Sequence, residues 1–129
     1  MSAFLVGKEV SRRMLTRNRG TIMFTGATAS TRGAAGFSAF SGAMHAKRSL
    51  SQSMARELGP LGIHVAHVVI DGPIDTPWVR ERFPWANERS QHDGLLMPAS
   101  IAVNYVNLHN QPRNAWTHEL DLRPYCENW

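Results

Sequence analysis

The feature that most constrains this chain is the run Ile63–His64–Val65–Ala66–His67–Val68–Val69–Ile70, which is β-branched and almost wholly apolar. A strand with one wet face alternates polar and apolar residues, and this one does not. It predicts a strand buried on both faces, as in a parallel sheet covered by helices above and below. Asp71–Gly72–Pro73 ends the run with turn residues. The rest of the chain must therefore supply two helical layers.

Phe4, Leu5, Val10, Met14 and Leu15 recur at helical spacing, with Lys8, Glu9, Arg12 and Arg13 on the other face. This predicts an amphipathic helix over 3–17, stopped by Asn18–Arg19–Gly20; Gly7 inside it costs about 1 kcal/mol relative to Ala. Thr21–Ile22–Met23–Phe24–Thr25 predicts a buried strand, followed by the small residues Gly26 to Ser30 and a loop from Gly33 to Gly36. Phe40, Ala43, Leu50, Met54 and Leu58 predict a long helix with Ser38 as its N-cap and Gly59–Pro60 as its stop. Residues 75–98 are rich in Pro, Trp, charge and Gly and predict no regular element; Trp78, Phe83 and Trp85 give the segment side chains to pack with, a ligand contact being the alternative. Ala99 to His109 predicts a helix, Gln111–Pro112 a break, and Ala115 to Leu122 a final strand. This alternation places the chain in the α/β class as one domain over 1–129, with about three parallel strands and flanking helices.

Composition narrows the function classes. The net charge of +4 is spread among acids with no basic run longer than two, which argues against a nucleic-acid footprint. A single cysteine, Cys126, forbids an intrachain disulfide and suits a reducing cytoplasm. No window approaches a membrane span, and the four-residue apolar start is too short for a signal peptide. A cytoplasmic protein with no membrane or nucleic-acid partner is expected.

The isolated chemical groups point to structure. His64 and His67 lie three apart on a strand and face opposite sides, so they cannot clasp one ion. His45, His92, His109 and His118 share no ligand spacing, and no metal site is expected. Asp71 is expected to cap turn amides, with Asp75 nearby. Ser41, Ser49, Ser51 and Ser53 beside His45 lack the strand-to-helix turn of a nucleophile elbow. Gly33–Ala34–Ala35–Gly36 follows the wrong strand for a phosphate loop.

Several segments, taken in order, resemble the short-chain dehydrogenase/reductase family. Gly20–Thr21–Ile22–Met23–Phe24–Thr25–Gly26–Ala27 is similar to the family's fifth strand, G-x-I-V-x-I-S-S. Met54–Ala55–Arg56–Glu57–Leu58–Gly59 with Gly62–Ile63–His64–Val65 is close to L-x-x-E-L-x-x-x-G-I-x-V, and Asp71–Gly72–Pro73–Ile74–Asp75–Thr76 is similar to P-G-x-I-x-T. The resemblance runs from Phe4 to Thr76, more loosely to the last strand. It implies the C-terminal half of a Rossmann-like fold, beginning at the family's fourth helix.

Family chemistry uses a Tyr general acid/base, its pKa lowered by a Lys four residues on, and a Ser that holds the substrate oxygen. The resemblance puts Phe40 at the Tyr position, Met44 at the Lys position and Ala27 at the Ser position. Thr28 and Ser30 are the nearest substitute hydroxyls. Lys47 is the nearest cation, displaced from Met44 by about 4.5 Å along the helix and ~60° around it. The family's glycine-rich pyrophosphate turn is missing; only Gly72, Ile74 and Thr76 match cofactor-contacting positions, at the nicotinamide end of NAD or NADP.

The implied function is that of a truncated NAD(P)-dependent oxidoreductase-like protein, inactive alone. The alternative is a non-catalytic interaction or regulatory subunit, or a truncated reading frame without a role. The resemblance also implies a homo-oligomer through helices 3–17 and 38–58, where Ala39, Gly42, Ala43 and Ala46 permit close approach. The unpaired edge of strand 20–26 adds an aggregation hazard unless covered.

Overall fold

The computed structural model describes residues 1–128. Its elements, in chain order, are α1 (Ser2–Leu15), β1 (Gly20–Ala27), α2 (Ser38–Leu58), β2 (Ile63–Ile70), α3 (Pro77–Arg82), α4 (Trp85–Ser90), α5 (Pro98–His109) and β3 (Glu119–Leu122). The three strands form one parallel sheet in the order β1-β2-β3. Gly20 pairs with Ile63 and Ala27 with Ile70, so β1 and β2 start and end together.

Every residue of β2 is buried, as its composition requires. Alternate side chains serve two cores. Ile63 and Val65 join Ile22 and Phe24 of β1 against Met54 and Leu58 of α2, with Val10 and Met14 of α1 packed alongside. Ala66, Val68 and Ile70 face the other way, against Leu108, Ile101 and Tyr105 of α5. The sheet is thus sandwiched by α1 and α2 on one side and α5 on the other. This is the Rossmann-like α/β architecture expected, with three parallel strands.

Gly7 is a contact residue rather than a defect: a Cβ there would lie 3.0 Å from Met54 Sδ, so its lack of side chain lets α1 sit down on α2. Asn18 ends the connection to β1 at φ 48°, a left-handed conformation that asparagine tolerates.

Three local expectations are corrected. The N-cap of α2 is Phe37, which makes no side-chain cap, and Ser38 is already helical. Residues 75–98 contain two short helices, because Thr76 Oγ1 accepts from Val79 N and Pro77 occupies the first turn of α3. An isolated parallel bridge between Ile74 and Leu96, outside the three-stranded sheet, ties the two ends of this segment together. The last strand is only Glu119–Leu122; its lead-in is held instead by Gln111, whose side chain bonds the Thr117 amide at 2.7 Å and the Thr117 hydroxyl at 2.8 Å. Trp78, Phe83 and Trp85 pack together, Trp78 edge-on to Phe83 and Phe83 tilted against Trp85, with ring centroids 5.9 and 5.5 Å apart.

Candidate functional site

In an open parallel sheet, ligands bind beyond the carboxyl ends of the strands, where backbone diverges into loops. Here β1 ends at Ala27 and β2 at Ile70, side by side. A cavity of about 360 Å³ opens there, walled by Ala27, Ala29, Phe37, Phe40 and Ile70, with Thr28, Arg32 and Gly72 at its edges. Two of the three positions singled out for catalysis, Ala27 and Phe40, line it together. Met44 lies one turn further along α2 and is not part of the wall.

The substitute hydroxyls are both engaged. Thr28 Oγ1 donates to Asp71 Oδ1 at 2.6 Å. Ser30 is fully buried, and its Oγ accepts from the Ala27 amide at 3.1 Å, which fixes the exit from β1. Ser41 donates to the carbonyl of Ala29 at 3.2 Å, and its other near neighbour, His45 Nδ1, is 3.3 Å away. Lys47 lies in a separate groove between α1 and the free edge of β1, beside Val6, Gly7 and Met23.

Asp71 is not the turn cap its position suggested. It is 1% exposed and accepts from Thr28 Oγ1 and from both terminal nitrogens of Arg32 at 3.2 Å. Burial alone would raise its pKa, but the Thr28 and Arg32 hydrogen bonds and the charges of Arg32 and Arg123 outweigh that, so its carboxyl lies below the usual range. Arg32 therefore stands at the cavity edge as half of an ion pair. Nothing in the local spacing marks it: the pair joins residues 39 apart in sequence, across the strand ends.

A second network lies deeper. His67, fully buried on β2, places Nδ1 2.9 Å from Glu119 Oε2 of β3. Glu119 in turn takes a two-pronged bond from Arg48 of α2, at 2.7 and 2.5 Å. Burial lowers the His67 pKa, and the neighbouring carboxylate only partly restores it. Arg48 above all holds Glu119 below its ordinary value. His64 faces the opposite side, stacked on Trp116 at 4.9 Å with Nε2 bonded to the Thr117 carbonyl. Among the described residues, no group of three His, Cys, Asp or Glu could hold a metal ion. Nor, among the described residues, is any helix long and apolar enough to cross a membrane.

The cavity can therefore hold an apolar or aromatic group against Phe37 and Phe40, but it presents no free proton donor.

The family model "short chain dehydrogenase" matches residues 1–87. Among solved structures, a short-chain dehydrogenase from Rhodopseudomonas palustris is 43% identical, with TM-score 0.73, over 95% of this chain and 47% of its own. 4-Hydroxyisoleucine dehydrogenase complexed with NADH is 19% identical, with TM-score 0.78, over 94% of this chain and 53% of its own. A mutant of actinorhodin polyketide ketoreductase with NADPH is 21% identical, with TM-score 0.69, over 90% of this chain and 50% of its own. The last two show the shared fold alone. No curated protein matches the sequence. The chain spans about half the length of the solved structures it matches. The matched segment includes the strand ends that form the cavity, and with it this chain belongs to the short-chain dehydrogenase family.

Proposed function

We propose that this chain is an oxidoreductase-type polypeptide that does not exchange hydride with a carbonyl by itself. The observation that carries this reading is the cavity wall. Ala27 and Phe40 meet there, and its one lining hydroxyl, Thr28, is committed to Asp71 at 2.6 Å. Carbonyl reduction needs a proton donor within about 3 Å of the forming alkoxide, with a pKa that lets it give the proton up. Methyl and phenyl groups offer none.

The cofactor reading is partial. Two of the similar structures described above were determined with NADH or NADPH. In this chain Gly72 borders the cavity, and its backbone leaves room that a Cβ would lose against Pro124 at 2.8 Å. Ile74 is held in its bridge to Leu96, and the Thr76 hydroxyl caps α3. These residues suit the nicotinamide end of NAD or NADP. The described residues include no glycine-rich turn leading from a strand into a helix to take the pyrophosphate. The cofactor does not fit as a whole, and no step is drawn through it.

A second reading, a non-catalytic interaction subunit, is favoured by one observation. Ala39, Gly42, Ala43 and Ala46 all face solvent along α2, and Phe4, Leu5 and Val6 of α1 are exposed. A homo-oligomer through these helices in the cytoplasm, where the exposed Cys126 stays reduced, is the matching assembly.

Fluorescence titration with NADH and NADPH, run with a ketone and alcohol turnover assay on the 129-residue chain, tests both. The expected result is no turnover and no saturation at micromolar cofactor, with a dimer or larger species by light scattering. Turnover by the purified chain would sink the first reading; a strict monomer at high concentration would sink the second.

A further inference from the structure

We propose that a basic cleft at the opposite end of the sheet, where β1 and β2 begin, binds a small phosphate-bearing polyanion. The cleft encloses about 580 Å³, and Arg17, Arg19, Arg113, His109 and Trp116 form much of its lining. That volume lies within the range of small-molecule sites. No acidic side chain lines it.

The charge there is uncompensated. Among the described residues, the arginines that meet carboxylates all lie elsewhere in the fold. Arg17 and Arg113 bond only main-chain oxygens: Arg17 Nε donates to the Arg19 carbonyl at 3.2 Å, and Arg113 Nη2 to the Asn18 carbonyl at 2.7 Å and the Gly62 carbonyl at 3.3 Å. The Arg19 guanidinium makes no hydrogen bond or ion pair among the described residues. α1 and α5 both end at this cleft, and each carboxyl terminus contributes roughly half a negative charge. Three guanidinium groups exceed that by roughly two positive charges, the charge a phosphate monoester would neutralise.

Geometry favours the same ligand. Guanidinium forks match the oxygens of phosphate in paired bonds. Trp116 is pinned flat, stacked on His64 with an interplanar angle of 3° and its Nε1 bonded to the Gln111 carbonyl at 3.3 Å. It gives the cleft a rigid apolar wall beside the cations. A concave pocket with clustered cations suits a compact polyanion better than an extended nucleic-acid backbone, which needs a basic stripe. The cleft lies at the strand starts, away from the cavity at the strand ends, so its occupancy is independent of the redox reading.

Isothermal titration calorimetry of the full chain with inorganic tripolyphosphate tests the proposal. Saturable one-site binding is expected, weakening about tenfold in Arg19→Gln, as loss of one charge-assisted bond predicts. The Arg19 guanidinium makes no hydrogen bond or ion pair among the described residues, so Arg19→Gln removes none from the fold; Arg17→Gln provides a second variant with the same expected direction. Arg82→Gln, on α3 past the carboxyl end of β2 where Arg82 sits over the Phe83 ring at 5.9 Å, should bind as the parent does. No saturation at millimolar tripolyphosphate overturns the proposal, and so does equal weakening in Arg82→Gln, which would mark a diffuse charge effect.

Discussion

The Thr28 hydroxyl reaches across the ends of neighbouring strands to donate to Asp71 Oδ1 at 2.6 Å, while Asp71 is almost wholly shut off from solvent. A buried carboxylate persists only when its oxygens are bonded and its charge is met. Thr28 and Arg32 supply both, and in doing so they lock the loop after β1 to the loop after β2.

Asp71→Asn should therefore destabilise the fold by about 1–3 kcal/mol, the cost of losing a charged partner at a buried site. Thr28→Val should cost about 1 kcal/mol. Arg32 is 40% exposed, so its own truncation should cost less than the aspartate's. Urea unfolding of the three variants checks the order; Arg32→Ala as the most damaging would contradict it.

His67 gives a pH dependence. Its folded pKa lies below the ordinary 6.5 because burial disfavours the imidazolium. As pH falls below about 6.5 the unfolded chain takes up the proton first, so stability falls with pH, by at most about 1.4 kcal/mol per unit. The stabilising term is fully present above that value and lost on acidification through the folded pKa. Glu119 and Asp71, both lowered, contribute a separate loss that begins only below about pH 4.5. Denaturant melts from about pH 8 to 5 should show the first slope, and His67→Gln should flatten it.

Gly26 explains how His67 fits. A Cβ at residue 26 would press on the His67 ring and come within 2.8 Å of Ser30 Oγ. Gly26→Ala should cost about 1–3 kcal/mol through overpacking. Gly42, in the second turn of α2 with nothing within 4 Å of its would-be Cβ, should instead gain about 0.5–1 kcal/mol as Ala. Thermal melts of the pair should move in opposite directions.

Restoring the family's hydroxyl and amine by the triple change Ala27→Ser, Phe40→Tyr and Met44→Lys should leave the chain folded, since Phe40 is 48% exposed. It should still not oxidise NADH with a ketone, because the pyrophosphate end of the cofactor has no cradle among the described residues. Appearance of turnover in the triple variant would show that seating the nicotinamide end suffices.

Much of the architecture was legible beforehand. The β2 run announced burial on both faces, and Ile22 and Phe24 announced the strand beside it, because side-chain alternation and helical spacing are properties of adjacent residues. The short helices of residues 77–90 were missed because Pro and Trp mask a Thr76 cap that shows only as a Thr-Pro pair. For the site, motif spacing singles out Ala27 and Phe40, and both line the cavity at the strand ends. Asp71 was misjudged because its partners stand 43 and 39 residues away.

The sequence by itself determined the α/β class, the two-sided burial of β2 and the chemical poverty of positions 27, 40 and 44, since each follows from residue type and local period. Only the tertiary structure decided which charges meet: Glu119 with His67 and Arg48, Asp71 with Arg32, and Arg17, Arg19 and Arg113 with no acid among the described residues. The physical reason is range. Helix and strand pattern extend over a few residues, whereas ion pairs and clefts depend on the register in which distant strands are paired and on how helices pack across them.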